Sequence, residues 1–157
     1  PSYGTEKYYI DQAYIIGALN KDSVGDYLTA ILYLDSAIMV NPKNMTAYRL
    51  KAYASSLMGD KENALKIINQ AIDKDSSDPE NYISRAGLLL GLEKRDEALN
   101  DYYKAIELNP SNGRAHEAVG YMEVDKGNKA IGCEHLSKAR DLGHLPENRE
   151  ADKYLCK

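Results

Sequence analysis

Cys133 and His135 lie near each other in this 157-residue chain and, with His144 and Cys156, are of the types that hold a zinc ion. Side chains two apart on a helix diverge by roughly 200°, so Cys133 and His135 cannot enter one tetrahedral site without unwinding the backbone between them. The run Asp73-Lys74-Asp75-Ser76-Ser77-Asp78 alternates acids as a calcium loop does. Its sixth place, where glycine makes the sharp turn, is Asp78, and its twelfth, where a bidentate Glu belongs, is Ser84. A solvated turn is the better reading. No phosphate-binding loop, dinucleotide fingerprint, nucleophile elbow or HExxH pair is present. The carboxylates fall on amphipathic stretches, where they form the wet face. These residues predict no enzyme, no cofactor, no metal and no small-molecule substrate.

Bulk properties narrow the field further. Lys and Arg number 20 against 24 Asp and Glu, a net charge of −4. Nucleic-acid affinity rests on clustered cations facing phosphates, so no nucleic-acid partner is expected. Hydrophobic residues make up 43% of the chain, enough for a buried core. No apolar run reaches the roughly 18 residues that a membrane-spanning helix requires.

The elements that must position any site come from a repeat. In a frame of 34 residues starting at Asp11, Met45, Pro79 and Gly113, the eighth position reads Ala18, Ala52, Ala86, Gly120. Position 20 reads Ala30, Ala64, Ala98, Gly132, and position 27 reads Ala37, Ala71, Ala105, Ala139. Larger residues keep the same frame: Tyr14, Tyr48, Tyr82 and His116 at position 4, and Leu34, Ile68, Tyr102 and Leu136 at position 24. Within each block, apolar or small residues recur at spacings of three and four in two stretches, which is the helical period. Gly25-Asp26, Gly59-Asp60, Glu93-Lys94 and Gly127-Asn128 divide the stretches. Asn41-Pro42, Asp75 to Pro79, Asn109-Pro110 and Gly143-His144 close the blocks. Each block is therefore a helix–turn–helix, and small residues at fixed places let the two backbones approach. A single pair cannot bury both of its apolar faces, so neighbours must stack around a shared core. The expected fold is all-α: a right-handed superhelix of four pairs in one domain, over residues 11–44, 45–78, 79–112 and 113–146.

This frame resembles the tetratricopeptide repeat family across residues 11 to 146. The third block carries the resemblance most fully, through Tyr82, Ala86, Ala98, Tyr102, Ala105 and Pro110. Block one has Gly17-Ala18 and block two Lys51-Ala52 where the family often has Leu-Gly, and block four has His116 for the aromatic. Gly132 in place of alanine is expected to loosen the packing of block four. The family implies a capping helix over residues 147–157, with Ala151, Tyr154 and Leu155 at helical spacing. Residues 1–10, with Tyr8, Tyr9 and Ile10, either extend the first helix or belong to an upstream element. A start at Pro1-Ser2 rather than Met is expected of a cleaved or truncated chain. Cys133 and Cys156 resemble the cysteine pair of exported bacterial arrays of this family. That implies a disulfide and an oxidising compartment, against two unrelated thiols in a cytoplasmic protein.

The resemblance also implies where a partner would sit. In the family, the first helix of each pair lines a hollow face through positions 2, 5, 9, 12 and 13. Here those positions supply Ile15, Leu19, Arg49, Tyr53, Ile83, Gly87, Gly91, Arg114, Glu117 and Tyr121. Gly87 and Gly91 inside a helix cost about 1 kcal/mol each relative to alanine. Either they open a notch between Tyr53 and Tyr121 for a peptide side chain, with Arg49 and Arg114 offered to a carboxylate, or they relieve crowding between helices. Family members that clamp acidic chaperone tails use a set of cations and asparagines at fixed positions. Blocks one to three supply Ile15, Leu19, Leu50, Glu80 and Ser84 there, and blocks two to four supply Arg49, Tyr53, Ser84, Arg114 and Ala118. That reading is disfavoured. The implied function is a noncatalytic protein–protein interaction module binding a protein or peptide. The alternatives are a structural component of a bacterial cell-envelope complex, or the regulatory part of a longer protein. The sequence leaves the oligomeric state open.

Overall fold

The computed structural model describes the backbone of residues 3–19, 24–145 and 156, and the side chains of 5–13, 26–145 and 156. Eight helices follow one another among these residues: α1 (Tyr3–Leu19), α2 (Val24–Val40), α3 (Met45–Leu57), α4 (Lys61–Lys74), α5 (Pro79–Gly91), α6 (Arg95–Leu108), α7 (Gly113–Asp125) and α8 (Lys129–Asp141). Each packs on the next in sequence, and α3 also touches α5, the first helix of the following pair. This is an all-α solenoid of helix pairs. Residues 3–10 continue into α1 as one helix. The expected capping helix and Ala18 fall outside the residues whose side chains are described.

Local chemistry places the boundaries. Asn44, Asp60, Asp78 and Asn112 each accept a hydrogen bond from a backbone amide in the first turn of the helix they precede. Between pairs, Asn41, Asp75 and Asn109 turn the chain by accepting from the amide two residues on. Asp75 and Asp78, the acids of the calcium-like run, are thus engaged as turn and cap, and bonding from Ser77 holds the Asp75 carboxyl below its ordinary range. Within pairs, the turn after α3 and α7 needs a left-handed residue, supplied by Gly59 and Gly127 at φ +89°. The third pair meets the same need with Glu93 at φ +62°. A non-glycine residue there costs on the order of 1 kcal/mol.

The small residues do what their spacing predicts. Ala30, Ala37, Ala52, Ala64, Ala71, Ala86, Ala98, Ala105 and Ala139 are buried, with Leu34, Ile68, Tyr102 and Leu136 filling the space beside them. Gly132 corrects the expectation of loose packing in the fourth pair. A Cβ built on it would lie 2.6 Å from the Gly120 carbonyl oxygen and 2.9 Å from the Val124 amide nitrogen. One built on Gly120 would lie 2.6 Å from Leu136 Cγ. The two glycines face each other across α7 and α8, and the backbones meet more closely than alanine would allow.

Candidate functional site: a cleft on the first helices of the pairs

With their small residues turned toward the core, α3, α5 and α7 leave a second stripe free. It forms a cleft of about 450 Å³. Thr46, Arg49, Tyr53 and Ser56 form one wall, Glu80, Ser84 and Gly87 the other, and Arg114 closes one side. Ile83, fully buried, is part of the floor.

Gly87 has no atom within 4 Å of where its Cβ would stand. Gly91 would meet only the tip of Lys61, at 3.9 Å. Neither glycine relieves crowding between helices. Gly87 opens onto the cleft beside Tyr53, which is 61% exposed. Gly91 lies at the end of α5, where its carbonyl accepts a 2.6 Å hydrogen bond from Lys61 Nζ.

The two arginines differ. Arg49 Nη1 donates to Asp78 Oδ2 at 2.5 Å and to Asn81 Oδ1 at 3.0 Å, while Nη2 donates to Thr46 Oγ1 at 2.9 Å. Buried Asn81 in turn donates to the Asp75 carbonyl at 3.0 Å. Arg49 is therefore an inter-repeat brace, its fork already filled. Arg114 is exposed and has no hydrogen bond or ion pair among the described residues. Opposite it, Glu80 accepts a 3.0 Å hydrogen bond from Asn112.

Other members of the expected set sit elsewhere. Tyr121 packs against the cluster of Leu136, Ala139 and Leu145 rather than beside Gly87. Glu117 pairs with His144 at 3.0 Å, across the end of the fourth pair. Ile15 and Leu19 belong to α1, outside the described side chains. The cleft adds Leu50 and Ser84 at position 6 and Ser56 at position 12. Position 6 lies one turn beyond position 2 on the same stripe, so helical spacing alone identifies it.

A polar cluster lies where α6, α7 and α8 meet. His116 Nε2 lies 3.0 Å from the Pro110 carbonyl, and its Nδ1 lies 3.0 Å from His135 Nδ1. A carbonyl only accepts, so His116 donates from Nε2 and accepts at Nδ1 from His135. Tyr103, edge-on to His135, donates to Glu123 at 2.7 Å, and Asn128 donates to the other Glu123 oxygen at 2.7 Å. These bonds hold the Glu123 carboxyl below its ordinary range. Burial first, then the Glu123 bond, pushes the Tyr103 hydroxyl up to about 12. No three His, Cys, Asp or Glu side chains converge on a metal-sized site among the described residues.

Burial, reinforced by His116, lowers the His135 pKa below its ordinary 6.5, against weaker opposing pulls from Glu134 and Glu123. The folded state thus binds this proton less readily than the unfolded chain. The contribution of neutral His135 to stability is present above about pH 6.5 and fades as pH falls below it. Urea midpoints at pH 7.5 and 5.5 should therefore differ less in His135→Gln than in the unmodified protein. An unchanged difference counts against this role for His135.

Cys133, on α8, and Cys156 are joined by a disulfide, with Cα atoms 5.5 Å apart. Of the two readings of the cysteine pair, the structure has the bonded one.

Comparison with known proteins agrees with this architecture. Two family models described as tetratricopeptide repeat match residues 18–79 and 79–112. A Dictyostelium discoideum protein named STIP1 homolog is 37% identical over 118 residues, covering 73% of this chain and 20% of its own length. The chain thus spans about a fifth of that relative. Among solved structures, a tetratricopeptide repeat protein from Parabacteroides merdae superimposes with TM-score 0.75 at 18% identity, over 98% of this chain and 59% of that one. The first such domain of Spaghetti (RPAP3), solved with an HSP90 peptide, superimposes with TM-score 0.65 at 20% identity, over 80% of this chain and 96% of that one. The matched models span α2 to α6, with the two helices that form the walls of the cleft, and the chain belongs to the tetratricopeptide repeat family.

Proposed function

We propose that this chain is a noncatalytic interaction module that receives an extended segment of another protein in the cleft of α3, α5 and α7. The observation that carries the reading is Gly87: an exposed glycine inside a helix, with nothing above it, beside a largely exposed tyrosine. Such a residue is unfavourable for the helix, by about 1 kcal/mol relative to alanine, and leaves bare backbone where a ligand side chain can descend. Stacked helices are preorganised, so little ordering opposes docking. The peptide in the RPAP3 structure supports the same use of this fold. The acidic-tail clamp remains disfavoured, since Arg49 is engaged with Asp78 and Asn81, and Arg114 alone is left. The disulfide supports an oxidising compartment, in keeping with an exported bacterial protein.

Gly87→Leu tests the reading. Leucine should raise the melting temperature slightly, because it favours the helix and meets no neighbour. Filling the notch should weaken binding at least tenfold for peptides selected from a random library against the unmodified protein, measured by calorimetry. Tyr53→Ala should weaken the same peptides, and Asn100→Ala, on an exposed face away from the cleft, should not. Peptides that bind Gly87→Leu as tightly as the parent would rule out the cleft as their site.

A further inference from the structure

His116 holds the frame position that is tyrosine in the pairs before it, Tyr14, Tyr48 and Tyr82. In the third pair Tyr82 donates its hydroxyl to the Ser76 carbonyl at 3.2 Å. His116 makes the corresponding bond through Nε2, to the carbonyl of Pro110 at 3.0 Å, and Pro110 stands where the frame has Ser76. The histidine thus keeps the anchor of the tyrosine and adds a ring nitrogen that tyrosine lacks. That nitrogen, Nδ1, lies 3.0 Å from Nδ1 of His135 on α8. The position of His135 is Tyr33, Ile67 or Asp101 in the other pairs, so two facing imidazoles belong to the fourth pair alone.

The anchor settles the protonation of His116. With its proton on Nε2, Nδ1 presents a bare lone pair. A far nitrogen donating to a backbone carbonyl is also how metal-binding histidines are oriented. His135 now fills that lone pair with its own Nδ1–H. Moving this proton to Nε2 of the same ring leaves both imidazoles neutral and sets two Nδ1 lone pairs against one cation.

The spacing selects the ion. At a metal–nitrogen distance of about 2.05 Å, two ligands at a right angle stand ~2.9 Å apart, and two at the tetrahedral angle ~3.3 Å. The observed 3.0 Å is nearer the first. Right-angled nitrogen pairs suit tetragonal Cu²⁺, the divalent first-row ion for which such donors have the highest affinity. Both rings line a hollow of about 580 Å³ together with Glu134, Lys138 and Asp141, where water completes the coordination. Its two carboxylates outnumber its one ammonium, which favours a cation. No thiolate competes, because Cys133 is bonded to Cys156. The close approach of α7 and α8 at Gly120 and Gly132 holds the two donor helices in place.

We propose that His116 and His135 form a two-histidine site for Cu²⁺, bound through both Nδ1 atoms between α7 and α8. CuCl₂ titrated into the metal-free, oxidised protein should give one tight equivalent per chain. The electron paramagnetic resonance spectrum should be that of a tetragonal ion with two imidazole nitrogens. His116→Tyr is the sharpest variant, since it restores the aromatic residue of the other pairs, with a hydroxyl for the Pro110 carbonyl, and removes only the second nitrogen. It should weaken copper binding at least tenfold with an unchanged circular dichroism spectrum, and His135→Gln should do the same. His144→Gln, outside the site, should bind as the parent does. Copper should raise the melting midpoint of the parent and leave that of His116→Tyr where it is, because the ion ties α7 to α8 only when both nitrogens are present. A parent that takes up no equivalent overturns the proposal, as does a spectrum with fewer than two nitrogens. Binding by His116→Tyr at the parent's affinity, or its loss in His144→Gln, would show that the copper sits elsewhere and overturn it as well.

Discussion

Gly132→Val is expected to destabilise the protein by about 3 kcal/mol, at the upper end of overpacking effects, which lowers the melting midpoint by roughly 6–12 °C for a chain of this size. The added carbon would stand 2.6 Å from the Gly120 carbonyl oxygen and 2.9 Å from the Val124 amide nitrogen. Both are backbone atoms, so no rotamer change relieves the clash. α8 must move away from α7 as a unit, and the contacts of Leu136 move with it. Gly87→Ala provides the contrast: the same kind of substitution, made where nothing stands in the way, should stabilise by about 0.5–1 kcal/mol. Thermal melts of the two variants, followed by circular dichroism, separate the readings. A Gly132→Val midpoint within a degree of the parent would mean that the α7–α8 approach is not tight in solution.

Cys156→Ser should cost about 3 kcal/mol by the loop-closure relation for the 23-residue separation of the bridged cysteines. Reductant should lower the parent's midpoint by a similar amount and leave the variant where it is. If reductant moves both equally, it acts elsewhere and the bridge contributes little. Because Cys133 and Gly132 are adjacent on α8, the two losses should not add. The double variant should lose less than the total of the single ones, since once α8 is displaced the bridge has less native structure to hold.

The backbone architecture is legible in the sequence because small residues at positions 8, 20 and 27 record helix proximity directly. An alanine is needed wherever two axes approach, and the frame repeats that demand without gaps. Gly132 misleads for a physical reason: a smaller side chain can mean a void or a closer approach, and only the distance to Gly120 decides between them. Arg49 is hidden in another way. Its partners Asp78 and Asn81 are 29 and 32 residues away, on the cap and first turn of the next pair, so composition shows an arginine without showing that its donors are taken. Gly87 sits in the cleft as its position implies. Tyr121 shares the frame position of Tyr53 but turns to Leu136 and Leu145, because the last pair offers it an apolar neighbour that the middle of the stack does not.

The bridge between Cys133 and Cys156 gives a repetitive molecule a direction. Each pair leans mainly on its neighbours, so such a stack comes apart by unzipping from an end. One end is covalently stapled. Unzipping should then be easier from the α1 side than from the α8 side, and an unfoldase pulling from the α1 side should meet the smaller resistance. Pulling from the other side meets the bridge of Cys156 before it reaches α8, and there a processive motor must thread a closed loop or stall.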